Sequence, residues 1–354
     1  MQKAYIYGTG AYYQTYKEQL CTEYEVIGFL DSNKSGEMDS KKILTFSADI
    51  FKQDFDVIVV MVESEGTCFQ ITDSIIKSGG TEWIKSGKKV VWGIEKYGIR
   101  ADCFEKLEVL ADGSLKMRIK GIDICVNNLD EFCNSVDTLY NQCYAYNINN
   151  CKKDVVIDIG MNIGDATLFF LKNDRVEKVY AYEPFLETFC SAKKNLEAYL
   201  ETERLEIKQC GLSNGDFKKT FHFQRSMSCG QSTDEYATEK AVETYRDWGL
   251  VEGEGREEVV ILRDAAAELR EICNQHREHN LILKMDCEGE EYQILEALAA
   301  AKLLEKFDFV MLEWHYKGSE TLLAYLRNSG FSYWQYDKSE KMGLIYAWNM
   351  NKSV

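Results

Sequence analysis

The sequence predicts an α/β protein in two parts. A small Rossmann-like unit is expected over residues 1–98, and a larger α/β unit over 99–354. The larger unit is read as a seven-stranded sheet whose last strand pair is antiparallel. Three observations lead there. Apolar runs of strand length alternate with helical periodicity in two separate stretches, the pattern of parallel strands joined by crossover helices. Two of the strands run directly into glycine turns, at Gly8-Thr9-Gly10 and at Gly160-Met161-Asn162-Ile163-Gly164. The last two strands are separated only by Asp337 to Met342, too little for a crossover, so they pair as neighbours.

The first strand is Lys3 to Tyr7, followed by the Gly8–Gly10 turn and a helix to about Cys21. Val26 to Leu30 is the second strand and ends on Asp31. Asp56 to Val62 is a near-continuous β-branched run of the buried parallel type. A helix over 67–78 and a strand at Val90-Val91-Trp92 complete the first unit. Residues 104–150 change character: Leu107 to Leu110, the turn dipeptide Asp112-Gly113 and Leu115 to Ile119 read as a hairpin, with a further strand at Ile122 to Val126. This stretch is expected to be a β-rich lead-in to the second unit. Strands then follow at 154–159, 177–183, 204–210, 281–286, 307–313, 331–336 and 343–348. Helices are read at 164–173, 186–200, 262–272, 290–304 and 318–328. The polar segment 224–256 is too long for a simple connection and is expected to be an insertion over the site.

Charge and cysteine usage exclude several functions. With 42 Lys+Arg against 58 Asp+Glu, the net charge of −16 repels phosphate backbones and speaks against a nucleic-acid partner. No apolar run approaches the roughly 18–20 residues of a membrane span. The opening Met1 to Gly8 runs into a strand without the pattern of a signal peptide, so a cytoplasmic protein is expected. The 12 cysteines form no CxxC and read as reduced thiols. His222, His276, His279 and His315 have no zinc-ligand spacing, and no metal is assigned. His276 and His279 read as solvated helix surface, His222 as exposed strand face.

The chemistry concentrates on three segments. Val155 to Thr167 is a buried strand, a glycine turn and the start of a helix. Its G-x-N-x-G spacing differs from the G-x-G-x-x-G that approaches a pyrophosphate. Preceded by Asp158, the shorter loop suits the amino-acid end of S-adenosylmethionine, with Gly160, Asn162 and Gly164 letting the backbone approach the ligand. The next strand ends at Glu183-Pro184, where a carboxylate can accept hydrogen bonds from two ribose hydroxyls. Lys284-Met285-Asp286-Cys287-Glu288-Gly289-Glu290-Glu291 gathers acids at the strand end that binds ligands in open α/β sheets, and Glu313-Trp314-His315 adds to the same edge. Asp286, Glu288 and His315 are the candidates to take the proton of an acceptor hydroxyl, with Lys284 on the Asp286 face of its strand. Asp286 and Glu288 lack a fixed third partner for a metal. Glu290 and Glu291 read as helix N-terminal acids, and Cys229 and Cys287 as incidental thiols.

These segments resemble the marker motifs of the FkbM family of methyltransferases, D-x-G-A-N-x-G, E-P and K-x-D-x-E-G-x-E, in the same order. The resemblance covers about residues 104–350. It implies a class I methyltransferase fold, S-adenosyl-L-methionine as cofactor and O-methylation, commonly of sugar or secondary-metabolite hydroxyls. Met161 replaces a small residue of the pattern. Cys210-Gly211-Leu212-Ser213 lacks the acid that many class I enzymes aim at adenine, which leaves Gly211 and Leu212 to hold the base through backbone and apolar contacts.

The first unit resembles the nucleotide-binding-like domains of sugar-modifying transferases, through Gly8, Gly10 and the run Ile27 to Asn33 with Asp31. That resemblance implies a nucleotide-sugar ligand or, alternatively, a degenerate scaffold or homodimer surface. Tyr13 stands where a dinucleotide fingerprint requires glycine or alanine. The expected activity is O-methylation of a sugar, glycan-precursor or related small-metabolite hydroxyl. The rivals are an NAD-dependent sugar oxidoreductase run by the Gly8–Gly10 loop, and a non-catalytic binding or assembly protein that keeps the methyltransferase fold.

Overall fold

The computed structural model describes residues 1–93, 97–247 and 255–352. The chain divides into two compact units. The first holds Met1–Val136 with a short stretch beginning at Thr244, and the second holds most of the remainder.

In the first unit β1 (Gln2–Tyr7), α1 (Ala11–Glu23) and β2 (Tyr24–Leu30) are followed by a short hairpin, β3 (Gly36–Met38) and β4 (Lys41–Leu44). Then come β5 (Val57–Val60), α2 (Glu65–Ser86), β6 (Lys89–Trp92) and β7 (Tyr97–Arg100). The sheet order is β3-β4-β2-β1-β5-β6-β7, with β2, β1, β5 and β6 mutually parallel. Strand order reverses on either side of β1, as in doubly wound folds. Every residue of β5 is buried, as its β-branched run requires of a strand covered on both faces. The hairpin β3–β4 is short and polar, and carries no periodicity from which it could be read.

The lead-in behaves differently from its sequence reading. β8 (Lys106–Val109), β9 (Leu115–Ile119) and β10 (Ile122–Val126) form an antiparallel sheet, with the turn at Gly113 (φ +84°) as expected. Together with α3 (Leu129–Ser135) they group with the first unit, so the division falls after Val136 rather than at residue 98. The cause is aromatic packing: Phe104 stacks on Phe132 at 5.0 Å and meets Trp83 of α2 at 5.6 Å.

The second unit opens with β11 (Asp154–Ile159), α4 (Asp165–Leu171), β12 (Val176–Tyr182), α5 (Leu186–Asn195) and β13 (Leu205–Lys208). β14 (Gly211–Ser213), β15 (Phe217–Phe223), α6 (Glu235–Asp247) and β16 (Arg256–Asp264) come next. The chain ends on α7 (Ala265–Gln275), β17 (Asn280–Met285), α8 (Glu291–Ala300), β18 (Phe309–His315), α9 (Glu320–Asn328), β19 (Phe331–Asp337) and β20 (Met342–Asn349). The main sheet runs β13-β12-β11-β17-β18-β20-β19. Its last two strands pair antiparallel, so all seven expected strands are present and the class I methyltransferase fold holds. β11 and β17 are buried at every position, and the core of Val155, Ile157, Leu283, Leu295 and Leu312 lies against them.

A second sheet, β14-β16-β15, was not expected. It takes residues 262–264 from the predicted helix 262–272, which begins instead at Ala265 behind an Asp264 cap. The insertion 224–256 holds a short 3-10 turn (Arg225–Gly230) and α6, while its residues 248–254 lie outside the described part. Among the described residues no helix is long and apolar enough to cross a membrane.

Candidate active site

Four loops at the carboxyl edge of β11, β12, β14 and β17, with part of the insertion, line a narrow cleft. Gly160, Asn162, Glu183, Gly211 and Leu212 line it, together with Asp286, Cys287 and Glu288. Ser228, Cys229, Gln231 and Thr233 of the insertion also line it.

The glycine loop is shaped by close approach. Gly160 has φ +78°, and a Cβ there would lie 1.8 Å from the Asp286 carbonyl oxygen, so only glycine lets the β11 and β17 ends cross. Gly164 (φ +90°) caps α4 against Leu196 and does not line the cleft. Asp158 also stays out of it. Its Oδ2 accepts the Thr167 hydroxyl at 2.6 Å, and its Oδ1 lies 3.0 Å from Lys284 Nζ. Asp158 thus ties the loop to the start of α4 and to β17.

Lys284 is almost fully buried and donates to the Gly160 carbonyl at 2.7 Å. Burial by itself would lower its pKa, but the Asp158 and Asp286 carboxylates outweigh this and hold it above its ordinary value. Lys284 is therefore a fixed internal cation beneath the loop.

Glu183 presents its carboxylate beside the Asn162 backbone. It accepts backbone N–H groups from Asn162 at 3.0 Å and Phe185 at 3.0 Å. Burial pushes its pKa to about 7 against these two bonds and the pull of Lys284. Asn162, at φ +51°, keeps a buried side-chain oxygen without a hydrogen-bond partner. That unmatched acceptor on the lining fits a ligand bearing N–H or O–H groups.

The rim gathers the three predicted proton acceptors. Asp286 Oδ2 accepts the Tyr144 hydroxyl at 2.7 Å. His315 Nε2 stands 3.4 Å from Glu288 Oε1 and 3.9 Å from Asp286 Oδ1. Glu288 takes a left-handed backbone (φ +54°) that orients its side chain toward them. Glu291 is not simply a helix-terminal acid: fully buried, it accepts the His315 backbone N–H at 2.8 Å, the His315 ring Nδ1 at 3.1 Å and the Gly289 N–H at 2.8 Å. Glu290 likewise turns inward to the Ser213 hydroxyl at 2.8 Å. Sequence reading missed Tyr144, whose segment has no periodicity. It had a signal for Glu291, the last acid of the third motif, and read it too weakly. Cys287 is an inert thiol, pushed up by burial and by Glu291 and Glu290. His276 bonds the Tyr180 hydroxyl at 2.9 Å and His222 is exposed, both away from the cleft.

In the first unit Gly8 (φ +104°) is required by packing, since a Cβ would meet the Met61 carbonyl oxygen at 2.7 Å. Gly10 faces open space. Asp31 is engaged by its own turn: Oδ1 accepts the N–H groups of Asn33 and Lys34, and Oδ2 the Thr9 hydroxyl. Tyr13 is buried edge-on against Phe29 at 5.1 Å, filling the space that a dinucleotide fingerprint leaves to glycine.

A parallel sheet with this terminal hairpin, a G-x-N-x-G turn and an acid ending the second strand define the class I methyltransferase group. Residues 158–333 match the Methyltransferase FkbM domain, and residues 1–82 match the C2185-like N-terminal domain. The chain thus carries an FkbM-family methyltransferase domain. A similar curated protein is Methyltransferase 1 of Beauveria bassiana (strain ARSEF 2860), 29% identical over 147 residues, which are 40% of this chain. The match spans 57% of that relative's length. Among solved structures, the FkbM methyltransferase of Methylobacillus flagellatus KT is 15% identical, with 98% of this chain and 90% of that one covered and a TM-score of 0.39. TYW2 of M. jannaschii, solved with AdoMet, is 10% identical over 66% of this chain and 84% of that one, with a TM-score of 0.34.

Proposed function

We propose that the chain is an S-adenosylmethionine-dependent O-methyltransferase acting on a hydroxyl of a sugar, glycan precursor or related small metabolite. The observation that carries the reading is the cleft lined by Gly160, Asn162, Glu183, Asp286 and Glu288, with His315 standing beside the last two. When bound, the cofactor supplies an activated methyl group, and the protein's part is alignment and proton removal. Glu183 would accept the ribose hydroxyls, the unpartnered side-chain oxygen of Asn162 would receive the ammonium of the amino-acid end, and Gly211 and Leu212 would flank the base. The rim would orient the acceptor hydroxyl and draw off its proton. The net charge of −16 favours a small acceptor over a polyanion. The self-satisfied Asp31 gives no support to NAD chemistry in the first unit.

Calorimetric titration with S-adenosylmethionine, S-adenosylhomocysteine and NAD tests this. The first two should bind saturably, with binding weakened about tenfold or more in Glu183→Ala, the loss expected for a charged hydrogen-bond acceptor. Methyl-labelled cofactor with a panel of sugars and nucleotide-sugars then identifies the acceptor. Binding of NAD alone would overturn the reading.

A further inference from the structure

We propose that Asp286, Glu288 and His315 form a binding site for a divalent cation beside the cleft. The inference deepens the methyltransferase reading, because the cation would hold the acceptor oxygen beside the cofactor. One ligand atom from each residue lies within 4.8 Å of the others. With His315 Nε2 at 3.4 and 3.9 Å from the two carboxylates, a single cation can reach all three at the roughly 2.1–2.5 Å of metal–ligand bonds.

Two further observations point to a ligand at this place. The His315 side chain is only 2% exposed, and its Nε2 is aimed at the Glu288 and Asp286 carboxylates. Its other nitrogen, Nδ1, is held by Glu291 at 3.1 Å. That is the carboxylate–histidine arrangement that fixes ring orientation and leaves Nε2 as the coordinating atom in metal sites. In addition, no lysine or arginine among the described residues forms an ion pair with Asp286 or Glu288. Lys284 is committed to Asp158 and the Gly160 carbonyl, and Lys338 to Glu313 at 3.0 Å. Tyr144 occupies Asp286 Oδ2 and leaves Oδ1 for coordination.

Two hard carboxylates and one imidazole suit Mn²⁺ or a similar ion, with the remaining positions left for water or substrate. An acceptor hydroxyl on the ion would lose its proton more easily. The O–H bond breaks, the proton passes to water, and the electron pair stays on the oxygen that then bonds to the methyl carbon. As that bond forms, the carbon–sulfur bond of the sulfonium donor breaks and its pair returns to sulfur.

The test uses the full chain stripped with EDTA and titrated with Mn²⁺, with free ion followed by electron paramagnetic resonance. S-adenosylhomocysteine binding is measured by calorimetry on the same samples. Wild type should take up a single equivalent of Mn²⁺. His315→Gln and Glu288→Gln should lose this uptake, and Glu291→Gln should weaken it about tenfold or more. S-adenosylhomocysteine binding retained by His315→Gln shows that the variant is folded. Uptake unchanged in both ligand variants overturns the site. So does Mn²⁺ that remains free while wild type binds S-adenosylhomocysteine, an outcome that leaves the methyltransferase reading standing. Uptake of Mn²⁺ without any binding of S-adenosylhomocysteine would support the cation site and defeat that reading instead.

Discussion

In the proposed reading, Glu183 would couple cofactor binding to pH. Its carboxyl sits in a buried wall, and burial is the largest influence on it, raising its pKa to about 7. The Asn162 and Phe185 N–H groups and the Lys284 ammonium pull the other way, while Asp158 adds to the rise. A ribose diol donates to the ionised form, so cofactor affinity should grow as pH rises through 7. If the protonated form does not bind, the ionised fractions at pH 6 and pH 8 differ about tenfold, and the dissociation constant should differ likewise. Stability of the free protein should move the opposite way. A carboxyl whose folded pKa exceeds its unfolded value contributes stability that is full below the unfolded value near 4.5 and is lost as pH rises to about 7. Glu183→Gln should flatten both trends. Equal slopes for variant and wild type, in affinity and in melting temperature, would show that another group carries the pH dependence.

At the level of elements, the loop between β11 and α4 depends on a tie to β17 that crosses the sheet. Lys284 leaves the neighbouring strand, pairs with Asp158 at 3.0 Å and donates to the loop carbonyl of Gly160. Replacing it by methionine leaves the Asp158 carboxylate buried without its cation, a change that typically costs about 3–5 kcal/mol. Lys284→Met should lower chemical-denaturation stability by that order and weaken S-adenosylhomocysteine binding, because the loop loses its anchor. A variant as stable as wild type would show that the Lys284–Asp158 pair contributes nothing to stability. This tie marks the boundary of what could be read from the sequence. β11, β12 and β17 were legible because buried parallel strands are continuous apolar runs, and the G-x-N-x-G turn because backbone crossing at Gly160 admits only glycine. Lys284 and Asp158 were visible as residues, but their pairing depends on the register Asp158↔Lys284 between strands far apart in the chain. The same holds for Tyr144 on Asp286, Glu291 under His315, and the β14–β16–β15 sheet, all set by tertiary contact with no local period to announce them.

On the scale of the whole molecule, each unit has its own hydrophobic core among the described residues, and the two share no residue. One is built on Ile6, Tyr13, Phe29 and Val59, the other on Val155, Leu283, Leu295 and Leu312. The proposed cofactor cleft is lined by residues of the second unit alone. Two cores of this kind depart from all-or-none unfolding, so a single transition is not the expected behaviour. A ligand that binds only the native form of one unit raises the stability of that unit by mass action, about 2.7 kcal/mol at a hundredfold excess over its dissociation constant. Calorimetric melting should therefore show two transitions, with S-adenosylhomocysteine moving one and leaving the other in place. Glu183→Ala should abolish the movement without shifting the insensitive transition. If both transitions rise together on adding S-adenosylhomocysteine, the two units unfold as a cooperative whole, and the first contributes to cofactor binding through its own stability.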